Sequence, residues 1–472
     1  MLVPTSSPWA PTACALLVLA CTSPEEATTD GREASRPARP NVLLVLVDDL
    51  GWSDLGCYGN AAVDTPRIDA FCAESLRFTD AYSAAPVCSP TRAALMTGLA
   101  PARLRITNHM PDRPAFSPDD APLVPAACED RLALEYDTLA ERLSRAGYRT
   151  AFMGKWHLAP ADQPDEADYF PDRQGFDLNL GGNGWGGPGR SFFAPYSFPN
   201  LESEAEGEYL PYRIGDEAVA WLDDRASEEE PFFLALWHYA VHWPMDAPED
   251  LLAKYEARGV RPGIVDPRYA GMTEALDRVF GRVMDALERS GRADDTLVIF
   301  TSDNGALGSV ADNRPLRAAK GFLYEGGIRV PTMVRWPGVV APGVEATPIV
   351  STDFFPTILA AAGVEARDDE PRDGTSLVPL LRGRPLERGP IYFHYPNYAF
   401  HRANRLGGAI REGDVKLIER FDDGSLELYD LATDIGETTN LAAEREELAE
   451  ELRGKLAAWR ESVGAAMPTR AR

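Results

Sequence analysis

The chain has 472 residues, of which 44% are hydrophobic, and its formal net charge at pH 7 is -26. Single hydrophobic cores usually stop growing at about 250–300 residues, so this length favours two domains. Proteins that bind nucleic acids neutralise phosphates with basic residues, so the acidic balance argues against such a partner, and an anionic substrate would need a local cationic pocket.

The N-terminus resembles the export signal of a bacterial lipoprotein. An apolar run at residues 13–20 is too short to span a membrane, and Cys21 follows it directly. We predict an export signal over residues 1–21, either with a lipid anchor on Cys21 or as a plain cleaved peptide, and a flexible linker over residues 22–40. No Lys or Arg precedes Arg32, so the usual basic start is missing. The expected location is the periplasm, the outer membrane by way of the anchor, or the medium after secretion.

From residue 41 onward, short apolar runs alternate with helical patterns, which is typical of a parallel α/β sheet. Four candidate strands are NVLLVLVDD, YRTAFMGKWH, PFFLALWHYAVH and TLVIFTSDNG, in chain order. The segments DTLAERLSRAG and MTEALDRVFGRVMDALERSG repeat apolar residues every three or four positions and end at glycine, so they predict helices. We therefore predict a large, mostly parallel sheet sandwiched by helices over residues 41–363.

Polar side chains follow each of the four candidate strands. They are Asp48 and Asp49, Lys155 and His157, His238 and His242, and Asp303 and Asn304, in chain order. Open α/β sheets bind ligands outside the carboxyl ends of their strands. Because all four strands place ionisable or metal-binding groups there, the pattern indicates one functional site.

The composition changes after Gly363, where the chain reads EARDDEPRDG. The later segments AIREGDVKLIER and SLELYDL are typical of antiparallel strands, and a last helix is predicted from about residue 444 to 463. These patterns predict a smaller C-terminal α+β domain over residues 364–472, beside a catalytic domain over residues 41–363.

Four oxygen-donor residues at the strand ends form the strongest candidate metal site. They are Asp48, Asp49, Asp303 and Asn304. Either pair alone is better explained as a turn, but together, after two buried strands, they favour a hard cation such as calcium or, as a weaker choice, magnesium. His238 and His242 are four residues apart, as in a helical zinc pair, but Tyr239 stands where that motif has glutamate, so we reject zinc and expect His238 to be structural.

The cysteines outside the export segment are Cys57, Cys72, Cys88 and Cys128, with no CxxC pair. A disulfide among Cys57, Cys72 and Cys128 would suit an exported protein, and the spacing does not assign it. Cys88 lies in VCSPTRAALMTG, where Pro90 suits the first turn of a helix. We expect its thiol at a helix N-terminus, where the dipole favours negative charge, with Arg92 on the same helix face.

The stretch CSPTRAALMTG resembles the signature of the formylglycine-dependent (type I) sulfatases, which belong to the alkaline phosphatase superfamily. The matching residues are Cys88, Pro90, Arg92, Thr97 and Gly98. The commoner form of the signature has Thr and Ser where this chain has Ser89 and Thr91. GKWHL (154–158), the aspartate pair, SDNG and KGFLYEGGIRVP (320–331) continue the resemblance, which covers residues 41 to about 441.

This resemblance implies an alkaline phosphatase-like fold and a nucleophile made after translation. A formylglycine-generating enzyme would convert Cys88 to an aldehyde, whose hydrate attacks sulfur with one hydroxyl and expels sulfate with the other. The implied calcium ligands are Asp48, Asp49, Asp303, Asn304 and the diol derived from Cys88.

The resemblance also implies roles for the basic residues. Arg92 and Lys155 would hold the diol, and His157 would be the base of the elimination step. His242 would contact the ester and assist the leaving oxygen, and Lys320 would bind the sulfate. Two of the five lysines of the chain thus fall on positions where the family needs a lysine.

The sequence therefore predicts an exported hydrolase of a sulfate monoester, with a sulfated saccharide as the favoured substrate. The alternatives are a phosphonate or phosphate ester hydrolase of the same superfamily and, if Cys88 is not matured, a non-catalytic binder of sulfated glycans. Trp185, in the Gly-rich loop 181–198, could stack on a sugar or simply pack at the surface. Five other candidates for the pocket are expected to be solvated or structural, namely His109, Arg113, His394, His401 and Arg402.

Overall fold

The computed structural model describes residues 39–112, 114–365, 367, 370–400 and 403–471. The predicted export signal with Cys21 and nearly all of the predicted linker lie outside these residues, as do Arg113, His401 and Arg402. Within the described part of the chain, no helix is long and apolar enough to cross a membrane.

The strands are, in chain order, β1 (Asn41–Val47), β2 (Leu76–Phe78), β3 (Ala81–Tyr82), β4 (Leu123–Val124), β5 (Arg149–Gly154), β6 (Leu178–Leu180), β7 (Phe232–His238), β8 (Thr296–Ser302), β9 (Thr332–Arg335), β10 (Gly343–Glu345), β11 (Ile349–Val350), β12 (Ile391–Tyr395), β13 (Gly407–Glu412), β14 (Val415–Arg420), β15 (Leu426–Asp430) and β16 (Thr469–Arg470). The α-helices are α1 (Pro66–Ala73), α2 (Cys88–Thr97), α3 (Pro101–Leu104), α4 (Leu139–Arg145), α5 (Leu210–Asp224), α6 (Glu249–Arg258), α7 (Pro267–Arg289), α8 (Glu325–Ile328), α9 (Phe354–Ala361), α10 (Val378–Leu381) and α11 (Glu446–Ser462). Helix α7 begins five residues before the predicted segment, because Pro267 occupies its first turn and the Asp266 side chain caps it.

The central sheet has eight strands in the order β10-β2-β9-β8-β1-β7-β5-β6. The four predicted strands, β8, β1, β7 and β5, are neighbours and all run parallel. Strand β9 runs antiparallel to both β8 and β2. Val47, at the end of β1, pairs with His238 on one side and Ser302 on the other, so these strands end at one level. The prediction of a large, mostly parallel sheet is confirmed.

Strand β1 shows why the central strands read as continuous apolar runs. Its odd-numbered residues from Leu43 to Val47 belong to one core, which also contains residues of α1, α5 and α7. Its even-numbered residues from Val42 to Leu46 belong to a second core, to which α2, α4 and α9 contribute. A strand covered on both faces needs apolar side chains at every position.

The predicted antiparallel strands near the C-terminus are also confirmed. Strands β12, β13, β14 and β15 form an antiparallel sheet in that order, and α11 covers one face. The other face shares a core with Tyr82, Val87 and Ala94, which belong to the predicted catalytic domain. The proposed boundary near residue 363 remains a prediction.

A group of buried charges joins the segment 320–331 to the C-terminal sheet. We call Glu325, Arg329, Lys416 and Glu437 the buried ion cluster. The Lys416 ammonium lies 2.8 Å from Oε1 of Glu325 and 2.9 Å from Oε1 of Glu437, and all three side chains are fully buried. Arg329 donates to the other oxygen of Glu325 at 2.6 Å. The cluster therefore links the segment that follows Lys320 in the chain to the C-terminal sheet.

Candidate active site

The ends of β1 and β8 bring the four predicted oxygen donors together. The backbone N–H of Asp49 donates to Oδ1 of Asp303 at 3.2 Å, and Nδ2 of Asn304 donates to Oδ1 of Asp49 at 2.7 Å. Asp49 has a φ of 62°, a left-handed conformation that is uncommon outside glycine and that clusters at functional sites. Asp48, Asp49, Asp303 and Asn304 are all buried.

The donor set at these strand ends fits a hard divalent cation. Oδ1 of Asp48 and Oδ1 of Asn304 are buried and accept no hydrogen bond, which normally costs free energy. Ligand atoms of Asp48, Cys88 and Asp303 lie within 4.8 Å of one another. Burial raises the pKa of Asp48 to about 8, although Lys155 opposes the rise. A cation would remove this penalty, since carboxylate and amide oxygens are the ligands that calcium and magnesium prefer.

Cys88 is the first residue of α2, as the sequence predicts. Its side chain is 2% exposed, and its Sγ lies 3.3 Å from Nζ of Lys320. Burial raises the pKa of Cys88, although Lys155 and Lys320 oppose the rise, so the thiol stays protonated. An unmodified thiol here is therefore a poor nucleophile.

Three predicted cationic side chains surround the acidic groups. Arg92 donates to Oδ2 of Asp303 at 2.9 and 2.6 Å. Lys155 donates to Oδ2 of Asp48 at 2.6 Å, and Lys320 donates to Oδ1 of Asp49. Arg92 and Lys155 are fully buried, and each donates to an aspartate side chain of the site, as a buried cation requires.

His157 follows β5 and faces the cavity with one unprotonated nitrogen. Its Nε2–H donates to the backbone carbonyl of Met110, whereas its Nδ1 is buried without a partner. Burial, followed by Lys155, lowers the pKa of His157 well below its ordinary value, so the ring is neutral. A neutral imidazole with a free Nδ1 can accept a proton.

Two glycines near His157 stand where a side chain would clash with a neighbour. Gly154, with a φ of 112°, ends β5, and a Cβ there would lie 1.9 Å from the Trp237 carbonyl oxygen. Gly186 belongs to the Gly-rich loop, and a Cβ on it would lie 2.8 Å from the imidazole ring. These close approaches explain the glycines without invoking flexibility.

His242 also lines the cavity, whereas His238 does not. Nδ1–H of His242 donates to the Trp243 carbonyl at 2.7 Å, and Nε2 lies 3.8 Å from Oδ2 of Asp49. Burial and then Lys155 lower the pKa of His242 to about 3. His238 is fully buried with neither ring nitrogen bonded. Among the described residues, possible ligand atoms lie within 4.8 Å of one another in Asp48, Cys88 and Asp303 and in Asp48, Asp49 and His242, and His238 belongs to neither set.

A cavity of about 540 Å³ opens above these groups. Its lining includes Cys88, Lys320, His157 and His242. Its rings come from His109, Phe116, Trp185, Trp243 and Phe400. Sequence reasoning proposed Trp185 but set His109 aside and missed Phe116, Trp243 and Phe400. The position of Trp243 directly after His242 is the one signal that could have identified it.

Another residue set aside in the sequence, His394, lies away from this cavity. It is 4% exposed, and its Nε2 bonds to the Ala466 carbonyl at 2.8 Å. The Met110 carbonyl that orients His157 was missed, since a main-chain contact leaves no mark in a residue pattern.

Comparison with known families and proteins identifies related chains. A family model described as Sulfatase matches residues 40–364, and one described as N-sulphoglucosamine sulphohydrolase, C-terminal, matches residues 318–462. A protein named sulfatase from Formosa agariphila is 32% identical over 89% of this chain and 88% of its own. Human N-acetylgalactosamine-6-sulfatase is 35% identical over 76% of this chain and 69% of its own.

Solved structures include a similar protein bound to an oligosaccharide. Ps i-CgsB in complex with k-i-k-neocarrahexaose is 28% identical, has a TM-score of 0.76, and covers 89% of this chain and 93% of its own.

Proposed function

The chain belongs to the sulfatase family and is therefore a sulfuric ester hydrolase; from this premise we propose that its nucleophile is formylglycine made from Cys88. The observation that supports this proposal is the environment of Cys88. Its thiol is buried and protonated, yet it contacts Lys320 and lines the cavity beside the oxygen donors. Conversion to an aldehyde that hydrates would supply the hydroxyl nucleophile that a protonated thiol does not.

The proposed ion is calcium, with magnesium as the weaker choice, because both prefer carboxylate and amide oxygens. Asp48, Asp49, Asp303 and Asn304 would hold it, together with the oxygen that replaces the Cys88 sulfur. Two oxygens of these residues are buried without hydrogen-bond partners. The proposed ligands include neither a pair of histidines nor a pair of cysteines. The ion would supply positive charge next to the nucleophile and the ester.

The basic residues would neutralise charge, hold the metal ligands in place and transfer protons. Lys155 and Lys320 would neutralise the sulfate charge as it shifts during the reaction, and Arg92 would hold Asp303 and the ion in place. His157 would accept a proton through its free Nδ1 in the step that releases sulfate. His242 would assist the leaving oxygen through Nε2, which requires a protonated ring. An anionic ester bound beside it would raise the pKa of His242 and favour that form.

The favoured substrate is a sulfate ester of a carbohydrate. Aromatic rings at Phe116, Trp185, Trp243 and Phe400 line the cavity, and such rings are suited to stacking on sugars. The similarity to a protein bound to k-i-k-neocarrahexaose supports the same class. An exported location, with or without a lipid on Cys21, suits an enzyme that acts on polysaccharides.

The decisive experiment is mass spectrometry of the tryptic peptide Phe78–Arg92, which contains Cys88. Protein made together with a formylglycine-generating enzyme should carry the aldehyde and hydrolyse sulfate esters. Protein made without that enzyme should keep the thiol and be inactive. Full activity with only unmodified cysteine would refute the proposal.

A substrate screen distinguishes the proposed function from its alternatives. Defined sulfated saccharides should be hydrolysed faster than matched phosphate monoesters or phosphonate esters. The opposite preference would favour the phosphonate or phosphate ester hydrolase. Binding of sulfated glycans without turnover by the converted protein would favour the non-catalytic binder.

A further inference from the structure

Two cysteines outside the active site lie beside each other. Cys57 is in the short 3-10 helix Gly56–Tyr58, and Cys72 is in α1. The backbone N–H of Cys57 donates to Oδ1 of Asp69 at 2.8 Å. Cys72 is three residues beyond Asp69 in the same helix, so the two share a helix face. Cys57 therefore faces the turn of α1 that carries Cys72.

The two side chains lie close enough to shift each other's pKa. The Cys72 thiol, as a hydrogen-bonding partner, is the largest influence on the pKa of Cys57, which it raises. Cys57 is in turn the largest influence on the pKa of Cys72, which is lowered. Cys72 is 8% exposed and belongs to the core on that face of the sheet, whereas Cys57 is partly exposed and packs against the same core.

The other described cysteines have different surroundings. The N–H of Thr107 donates to Sγ of Cys128 at 3.4 Å, and the Cys128 thiol lies 3.4 Å from the Glu129 carbonyl oxygen. Cys88 contacts Lys320 in the active site. The pairing that spacing leaves open among three cysteines therefore reduces to one pair.

We infer that Cys57 and Cys72 form a structural disulfide when the protein encounters a small-molecule or protein disulfide. One cysteine of the pair, as its thiolate, attacks that donor, forms a mixed disulfide and releases one donor thiol. The other cysteine, as its thiolate, then attacks the sulfur of the first and releases the second donor thiol. The two cysteines are oxidised, the donor is reduced to two thiols, and the two cysteine protons pass to those thiols.

This bond would close the segment from residue 57 to residue 72, which follows the aspartate pair and includes most of α1. The loop begins soon after Asp49, whose backbone carbonyl accepts a hydrogen bond from the Tyr269 hydroxyl at 3.0 Å. It ends at α1, where Thr65 and Asp69 already bind the backbone of residues 56 and 57. Closing the loop restricts the unfolded chain, so the oxidised protein should unfold at a higher temperature.

Peptide mapping tests the pair directly, because Arg67 lies between the two cysteines. Native protein is incubated with oxidised glutathione, denatured without reductant, alkylated with iodoacetamide and digested with trypsin. The peptide ending at Arg67 should be linked to Ile68–Arg77, and reduction before alkylation should separate them. Cys128 should be alkylated in both samples.

Alkylation of both Cys57 and Cys72, or a link from either one to Cys128, would overturn the inference. Cys128→Ser is the matched control and should keep the link. Cys72→Ser should lose it and leave Cys57 open to alkylation. Reductant should lower the thermal midpoint of the wild type and of Cys128→Ser but not of Cys72→Ser. If Cys72→Ser does not fold, the wild-type peptide map alone decides.

Discussion

Replacing Lys416 with methionine should destabilise the protein strongly. The substitution keeps the aliphatic stem but removes the charge that lies 2.8 Å from Glu325 and 2.9 Å from Glu437. At an effective dielectric constant of about 20, each of these pairs attracts by about 6 kcal/mol. The cost of burying the ammonium offsets much of that attraction. Breaking such a buried pair typically lowers the free energy of unfolding by about 3–5 kcal/mol.

The loss of stability in Lys416→Met should grow with pH. Burial raises the pKa of Glu437 to about 7, and Lys416 opposes this rise. Without Lys416, the pKa of Glu437 should rise further. A carboxyl whose pKa is raised in the folded state contributes stability below its unfolded pKa and loses it as pH rises through the folded pKa. The variant should therefore be closest to the wild type near pH 5 and furthest from it near pH 8.

Urea denaturation followed by tryptophan fluorescence measures this effect, with Lys455→Met as the control. Lys455 also bridges two glutamates, Glu412 at 2.6 Å and Glu451 at 2.8 Å, but at the surface. Solvent screens such pairs, so Lys455→Met should unfold at nearly the wild-type urea concentration. Equal midpoints for the two variants, or a loss in Lys416→Met that shrinks as pH rises, would refute the reasoning.

The other predictions concern catalysis by the converted enzyme. His157→Ala should release a burst of alcohol and then nearly stop, because sulfate is not expelled; matched, steady release of alcohol and sulfate would contradict this. His242→Ala should slow alcohol release by about 100- to 10,000-fold for sugar sulfates and much less for activated aryl sulfates, because acid assistance matters most for basic leaving oxygens. A burst in His242→Ala but not in His157→Ala would reverse the two roles. Removal of calcium and magnesium by chelation should abolish activity, and calcium should restore it. Stoichiometric zinc by elemental analysis, with activity that survives chelation, would exclude the proposed metal site.

The central sheet could be predicted from the sequence because its strands are covered on both faces. Burial on both sides imposes an apolar residue at every position of β1, and the run ends where the polar aspartates begin. Parallel strands that end at one level then bring their next residues together. The site residues that follow these strands, such as Asp48 and Asp303, could therefore be placed from the strands alone, whereas Lys320 could not.

Features that depend on contacts distant in the chain could not be predicted in this way. The buried ion cluster joins Glu325 to Lys416, which are 91 residues apart. The contact of Cys57 with Cys72 depends on how α1 folds back against the preceding turn. The aromatic rings that line the cavity come from separate connecting segments of the chain. Such segments carry no periodic pattern that would reveal them in the sequence.

The contact between His157 and the Met110 carbonyl has an evolutionary consequence. Because the acceptor belongs to the main chain, no exchange of the Met110 side chain deletes it. A substitution of the buried Met110 side chain therefore changes the packing of the core but leaves the tautomer of the histidine unchanged. The N–H of Met110 donates to the Ser89 hydroxyl at 3.0 Å. The position of the Met110 carbonyl therefore depends on the side chain of the residue that follows Cys88. Related sequences that differ around the cavity should keep a hydroxyl at position 89. They should tolerate substitutions at position 110 better than deletions.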